Sequence, residues 1–295
     1  MNFQGLIFGV PKEILTDEKR VAATPDTVKK LVNENAKVLI EKGAGEGSHY
    51  TDDEYRTAGA QIIDNVQDLF QKSDIILKVK EPRYNEAMGK HEVDMMKKDQ
   101  HLICFIHPAN PHNHEMIKSL AAKGITALTL DSIPRISRAQ SMDALTSMSI
   151  IAGYKGVLMA ANELPRFIPI MATASGVLPP ANILVIGAGV AGLQAISTAK
   201  SLGAVVYGFD IRQEACQQVK SVGAKLIDFE IPQKLAVGDG GYAKKLPDEW
   251  LKKEHEVLLK HLEKADIVIL SALIPGKLAP VLVTEEMVKS MKSGS

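Results

Sequence analysis

The stretch RISRAQSMDALTSMS, Arg135 to Ser149, gathers side chains suited to hydrogen bonding. Arg135 and Arg138 donate, Asp143 accepts, and Ser137, Gln140, Ser141 and Thr146 can do both. The cluster lies just ahead of an apolar helical pattern, in a chain otherwise mild in charge, and such a concentration is suited to gripping a polar ligand. A second group has a different chemistry: Gly187-Ala188-Gly189-Val190-Ala191-Gly192 follows the apolar run Ile183–Ile186. A lone GxGxxG is weak evidence, but this one has a strand before it, a helix after it and an acidic residue, Asp210, about 20 positions on at the end of the next strand. Gly187 allows the tight turn, Gly189 removes a side chain that would block a pyrophosphate, and Gly192 lets the helix pack on the strand. The helix N-terminus offers amides and positive dipole to phosphates. Asp210 can accept from both hydroxyls of an adenosine ribose and would repel a 2′-phosphate, so NAD is expected over NADP. Arg212 works against that preference, since a guanidinium can hold a phosphate, although its commoner place is over the adenine or in solvent.

Elements must hold these groups in place. In the first half LIFGV, KVLIE, DIILKVK, HLICFI and ITALTL read as strands. Between the first two, Thr24 can cap a helix with Pro25 at its first position and Val28, Leu31 and Val32 on one face. Strand and helix in alternation mean a parallel sheet covered on both sides. The expected fold class is α/β: two Rossmann-like domains with parallel sheets, separated by a cleft and joined by a long helix. The N-terminal domain is placed at residues 1–140 and the connecting helix at 141–164, with Met142, Leu145, Met148 and Ala152 on one stripe and Asp143 in the first turn. The NAD-binding domain is placed at 165–295. The polar cluster then falls at a domain boundary, a common address for ligand sites. AKLIDF and DIVILSALIPG read as further strands of the second sheet. The polar stretch Glu230 to Trp250, with three glycines and Tyr242, is long for an ordinary connection and is expected to be a lid.

Composition narrows the function. Thirty-five Lys and Arg balance thirty-five Asp and Glu, which gives no electrostatic case for a nucleic-acid partner or a polybasic membrane contact. The two cysteines, Cys104 and Cys216, have no CxxC or CxxH spacing and read as free thiols; no metal site is expected. The N-terminus lacks the features of a signal peptide, and no apolar run reads as the roughly 20 residues of a spanning helix.

The motifs GVPKE, EKRVAATP, GAGEGSHYTDDEYRTAGA, ILKVKEP, PRISRAQSMDALTSM, VIGAGVAGLQAI, GDGGYAK and ALIPGKLAP together resemble the NAD-binding domain of the alpha subunit of proton-translocating NAD(P) transhydrogenases, within the alanine dehydrogenase superfamily. The resemblance covers essentially the whole chain. It implies that Arg135, Gln140 and Asp143 hold the nicotinamide ribose and carboxamide or lie beside them, as the catalytic positions. By the same resemblance Ile136, Ser137, Ser141 and Met142 line the pocket. Thr146 stands where the family commonly has serine, so an extra methyl must fit. Val190, Asp210, Ile211, Arg212, Gly241 and Leu273 match the remaining dinucleotide contacts, and Tyr242 belongs to a mobile loop.

The implied chemistry is direct hydride transfer from NADH to NADP⁺ held on a partner domain, coupled to proton movement through membrane-embedded subunits. The implied state is a homodimer, cytoplasmic and peripheral to the inner membrane through its partners. An alternative is an alanine dehydrogenase-like enzyme, for which Arg20, Lys80 and His107 stand at the substrate-binding and proton-exchanging positions; another is an NAD-binding module without turnover. The polar form of the Arg135 loop favours the transhydrogenase, since alanine dehydrogenases have a shorter, less polar segment there. The ending EEMVKSMKSGS stops where a further strand is expected, so the second domain is expected to be incomplete.

Overall fold

The computed structural model describes residues 2–134, 136–238, 243–274 and 278–295. Arg135, Gly241 and Tyr242 lie outside the described residues. Contacts divide the chain into two units, Met1–Asp143 and Ala144–Ser295.

In the first unit the strands are β1 (Ile7–Val10), β2 (Lys37–Glu41), β3 (Gln61–Ile63), β4 (Ile75–Leu77), β5 (His101–Cys104) and β6 (Thr126–Thr129). They form one parallel sheet in the order β3-β2-β1-β4-β5-β6, the doubly wound order of dinucleotide-binding folds. The helices between them are α1 (Pro25–Asn33), α2 (Asp52–Thr57), α3 (Val66–Lys72) and α4 (His114–Ala122). Thr24 caps α1 by accepting from the Thr27 N–H, with Pro25 at the first position. Thr51 and Glu54 form a capping box on α2. Both sheet faces are covered, as β2 makes plain: Val38 and Ile40 pack in one core with Tyr55, and the intervening Leu39 packs in another with Leu69 and Phe70. Successive strand residues point to opposite faces.

In the second unit the long helix α5 (Ala144–Glu163) comes first, followed by a short antiparallel hairpin of Met171–Thr173 with Gly176–Leu178. Then come β7 (Asn182–Ile186), α6 (Val190–Ser201), β8 (Val205–Phe209), α7 (Gln213–Ser221), β9 (Lys225–Leu226), α8 (Asp248–Leu262), β10 (Ile267–Leu270) and α9 (Glu285–Lys289). Among the described residues the parallel order is β9-β8-β7-β10. Strand β7 alternates in the same way: Ile183 and Val185 enter one core, Leu184 and Ile186 the other. Asp266 staples this sheet, accepting from the Asn182 N–H at 2.7 Å, from Arg166 at 3.1 Å and from Lys292 at 3.1 Å.

Three expectations need correction. The long helix starts at Ala144, because Ser137–Met142 winds as a 3-10 segment and Asp143 leaves helical geometry at ψ 85. Asp143 therefore precedes the helix instead of sitting in its first turn. The helix also buries Gly153 and Val157 rather than the stripe through Met142 and Leu145, both of which are exposed. A Cβ at Gly153 would stand 2.1 Å from the Ala191 carbonyl oxygen, so only glycine permits this approach of α5 to α6. At 20 residues and a mean hydropathy of 1.3, α5 is long and apolar enough to cross a membrane, contrary to the expectation that no such stretch exists. Finally, the stretch after Glu230 is not wholly irregular: Gln233–Ala236 makes a helical turn and Val237 bridges Ala243.

The segment leaving β4 is fixed by a buried charge triad. The Lys78 ammonium, 1 % exposed in its side chain, lies 2.9 Å from Glu92 and 3.3 Å from Glu13. Glu13 also accepts from the Val79 N–H at 2.6 Å, and Glu92 accepts from the Arg83 N–H at 2.9 Å. Burial alone would depress the ammonium, but the charges of Glu92 and Glu13 outweigh it and hold Lys78 above the usual lysine value. Burial pushes the Glu13 carboxyl up despite Lys78. Replacing the cation by an apolar residue strands two buried carboxylates. Lys78→Met should cost about 3–5 kcal/mol of unfolding free energy, read from urea denaturation; a loss below about 1 kcal/mol would mean that the triad is no stronger than a surface pair.

Candidate functional site

The glycine-rich turn is assembled by close contact. Gly187 has φ +94, and its N–H donates to the Phe209 carbonyl at 2.8 Å, which closes the turn against the end of β8. A Cβ on Gly192 would stand 1.8 Å from the Gly187 carbonyl oxygen. The first turn of α6 therefore sits directly on the strand end. Ser271, just past β10, donates to that same carbonyl at 2.8 Å. A Cβ on Gly189 would meet nothing within 4 Å, so there is room over this part of the loop. Gly189 is also the N-cap of α6 and supplies no side-chain cap. The amides of the first turn are left to an outside acceptor.

Asp210 closes the arrangement. It is 6 % exposed, and its Oδ2 accepts from the Ala188 N–H of the loop at 2.8 Å. Arg212 forks onto it: the backbone N–H and Nε donate to Oδ1 at 2.9 and 3.0 Å, and a terminal guanidinium nitrogen donates to Oδ2 at 2.8 Å. The guanidinium thus lies on the carboxylate, not over an adenine position or free in solvent. Cys216 donates from Sγ to the Asp210 carbonyl oxygen at 3.1 Å. Beside Ile211 a groove of about 730 Å³ opens, lined among others by Gln213, Cys216, Lys220 and Phe229, a volume in the range of small-molecule sites. Val190 is the first residue of α6, and Leu273 is exposed beyond β10.

In the first unit, Ile136, Ser137, Gln140, Ser141 and Met142 are exposed around the 3-10 segment, which is anchored by buried Ala139. The Asp143 N–H closes the segment by donating to the Gln140 carbonyl at 3.2 Å. Thr146 lies in the first turn of α5 and is half-buried.

A second polar cluster gathers at the carboxyl ends of β5 and β6. Lys80 Nζ is 3.4 Å from His107 Nε2, and His107 Nδ1 is 2.7 Å from Asp131 Oδ1. Asp131 Oδ2 accepts from Thr129 and from the Ile106 and His107 N–H groups. Burial works to raise Asp131, but these hydrogen bonds and His107 outweigh it and leave the carboxyl below its usual value. His107 takes φ +50, a left-handed conformation uncommon outside glycine. Glu81 Oε2 is buried without a hydrogen-bond partner among the described residues, 3.9 Å from His107 Nε2. Arg20 forks onto Glu18 at 2.7 and 2.5 Å. Of the three residues expected for an amino-acid dehydrogenase, Lys80 and His107 are brought into contact and Arg20 is held by a carboxylate.

Sequence reasoning missed the loop-to-carboxylate bond from Ala188, which is a backbone group with no residue signature. It also missed Asp131, although an aspartate directly after a strand, in TLDS, is a usable signal for a residue that orients a histidine. Glu254 had no signal beyond being a carboxylate on the sheet-facing side of a helix, one turn from Leu258.

Family models describe both halves of the chain: "Alanine dehydrogenase/PNT, N-terminal domain" matches residues 9–152 and "Alanine dehydrogenase/PNT, C-terminal domain" matches residues 156–295. An NAD(P) transhydrogenase subunit alpha chain of Rhodospirillum rubrum is 47% identical over 287 residues, 97% of this chain and 74% of that protein. NAD(P) transhydrogenase subunit alpha of Cereibacter sphaeroides is 44% identical over 289 residues, and the chain spans 54% of its length. The crystal structure of transhydrogenase from Sinorhizobium meliloti superposes with a TM-score of 0.83 at 43% identity, over 98% of this chain and 76% of that one.

Glu254, 3 % exposed in α8, gives the site's surroundings a pH signature. Burial, with the charge of Asp210 adding to it, pushes its carboxyl up to about 7 from an ordinary 4.5. A carboxyl raised in the folded state contributes stability that is full below the unfolded value and is lost as pH rises through the folded one. Glu254→Gln should therefore stabilise the chain at pH 8 by about 2 kcal/mol more than at pH 5. Urea denaturation at the two pH values checks this, and an equal effect at both would refute it.

Proposed function

The chain belongs to the alanine dehydrogenase/PNT family over both of its units, and from that premise we propose that it is the NAD(H)-binding component of a proton-translocating NAD(P) transhydrogenase, passing hydride to NADP⁺ on a partner domain. The observation that carries this reading is the loop from Gly187 to Gly192 tied through Ala188 to Asp210, in a chain whose relatives at 43–47% identity include named transhydrogenase subunits. When bound, NADH supplies the hydride. The chain's own residues bind and orient. The uncapped amides at the start of α6 face the pyrophosphate, Asp210 takes the adenosine ribose, and Ile211 and Leu273 contact the adenosine end. Arg135, Gln140 and Asp143 clamp the nicotinamide end, with Ile136, Ser137, Ser141, Met142 and Thr146 around it. Gly241 and Tyr242 close over the nucleotide. No protein nucleophile is needed, because positioning and exclusion of water suffice for direct transfer. The names of the relatives as subunits support work within a complex, here with NADP-binding and membrane-embedded subunits, at the cytoplasmic side of the inner membrane.

A second reading is favoured by one observation. The Lys80–His107–Asp131 chain is built as an oriented acid–base pair, which suits an alanine dehydrogenase-like enzyme. A cyclic assay separates the readings. The chain is mixed with a transhydrogenase NADP-binding domain and its nucleotide, and reduction of acetylpyridine-NAD by NADH is followed beside a tube containing pyruvate and ammonium. Turnover that requires the NADP domain is the expected result. NADH oxidation in the pyruvate tube alone would give Arg20, Lys80 and His107 the chemistry. Silence in both, with NADH bound, would leave a binding module.

The homodimer reading rests on apolar surface in the second unit. Ile151, Tyr154 and Met159 of α5 and Ile170, Val177 and Leu178 of the hairpin region are 46 to 65 % exposed, a quantity of bare apolar surface that marks an interface. The helix packs on α6 through Gly153 and Val157, which argues for a partner over its outer face instead of a bilayer around it. The double variant I151E/V177E is expected to sediment at half the mass of the wild type; an unchanged mass would reject this interface.

A further inference from the structure

Every acceptor position on Asp210 is in use. A carboxylate offers about four lone-pair sites, and Asp210 receives the Arg212 N–H and Nε on Oδ1 and the Ala188 N–H and a guanidinium nitrogen on Oδ2. Two of these donors are backbone groups that the turn after β8 and the glycine-rich loop hold in place. The other two ride on one side chain that is 20 % exposed and joined to the carboxylate at 2.8 Å. An adenosine ribose presents two vicinal hydroxyls and needs two acceptor positions. The only donors it can displace without unmaking the loop are those of the guanidinium.

We propose that the Arg212 side chain is a latch on the ribose subsite, which must leave Asp210 for a nucleotide to bind and which thereby sets the balance between NAD and NADP. This rests on the reading of Asp210 as the ribose acceptor. The Asp210 side chain is 5 % exposed, so the pair is shielded from solvent and each of its charge-assisted bonds is stronger than a surface contact. Breaking them opposes the binding of any ligand with a free 2′-hydroxyl. A 2′-phosphate offsets that loss, because the released guanidinium stands beside the 2′ position and can fork onto phosphate as it did onto carboxylate. Arg212 therefore weakens NAD binding and relieves the repulsion that Asp210 alone would impose on NADP.

Titration calorimetry with ADP-ribose and with 2′-phospho-ADP-ribose tests this, since neither probe carries a nicotinamide and the Arg135 loop is not engaged. R212M should bind ADP-ribose roughly tenfold more tightly than wild type, the equivalent of one charged hydrogen bond less to break. It should bind the 2′-phospho probe more weakly. R212K, which offers a point charge in place of a fork, should shift both affinities in the same directions by smaller factors, and it carries the test if the melting point of R212M shows that it does not fold. Wild type binding ADP-ribose while both variants bind it equally well or more weakly would overturn the latch and leave the NAD reading in place. Binding of ADP-ribose to none of the three chains would remove the NAD reading and the latch together.

Discussion

The second unit is organised around the place where helix α6 meets the end of strand β7. There is no room for a methyl group between Gly192 and the Gly187 carbonyl, and the same carbonyl accepts from Ser271 beyond the neighbouring strand β10. The N–H of Gly187 reaches across to β8, and that of Ala188 to the Asp210 side chain. One turn is thus pinned to three adjacent strands. Its direction sets where the helix amides point, and the helix in turn supplies the face on which α5 lies.

Buried charge recurs at the carboxyl ends of the strands. Lys78 follows β4, Asp131 follows β6 and Asp210 follows β8. Each is saturated by partners from chain segments that have no regular backbone pairing of their own, and this is how a doubly wound fold holds loops at its ligand-facing end. A buried ion with a full set of hydrogen bonds places its surroundings in one geometry even where it adds little net stability. Glu81 is the exception: one oxygen has no partner among the described residues, while the other is held by Arg83. It lies beside the His107 ring, at the most polar end of the first sheet.

Much of this was legible in the amino-acid sequence, for reasons that can be traced residue by residue. Apolar runs such as KVLIE and NILVI announce strands buried on both faces, and Thr24-Pro25 announces the start of a helix, because these signals are local. Gly187, Gly192 and Asp210 were legible because the turn needs absent side chains and a carboxylate at fixed spacing. The start of α5 was misread, since the 3-10 winding of Ser137–Met142 keeps the apolar spacing of an α-helix over its short length. The buried face of α5 was misread for a related reason: a contact made by a glycine leaves no mark in a pattern of apolar side chains. Arg212 illustrates a further limit, because its type suggested phosphate or solvent while its neighbour two residues back decided where it rests.

Gly153 carries a consequence for how the second unit can change. With the backbone of α5 within touching distance of Ala191, the long helix and the first turn of α6 behave as a single mechanical piece. A shift of α5 along or about its axis cannot be absorbed by a deformable side chain at the crossing, as it would be between two leucines. It is passed on to the amides at the mouth of the glycine-rich loop. The outer surface of α5 and the anion-facing end of α6 are therefore ends of one short lever, and whatever grips the first has a rigid route to the second.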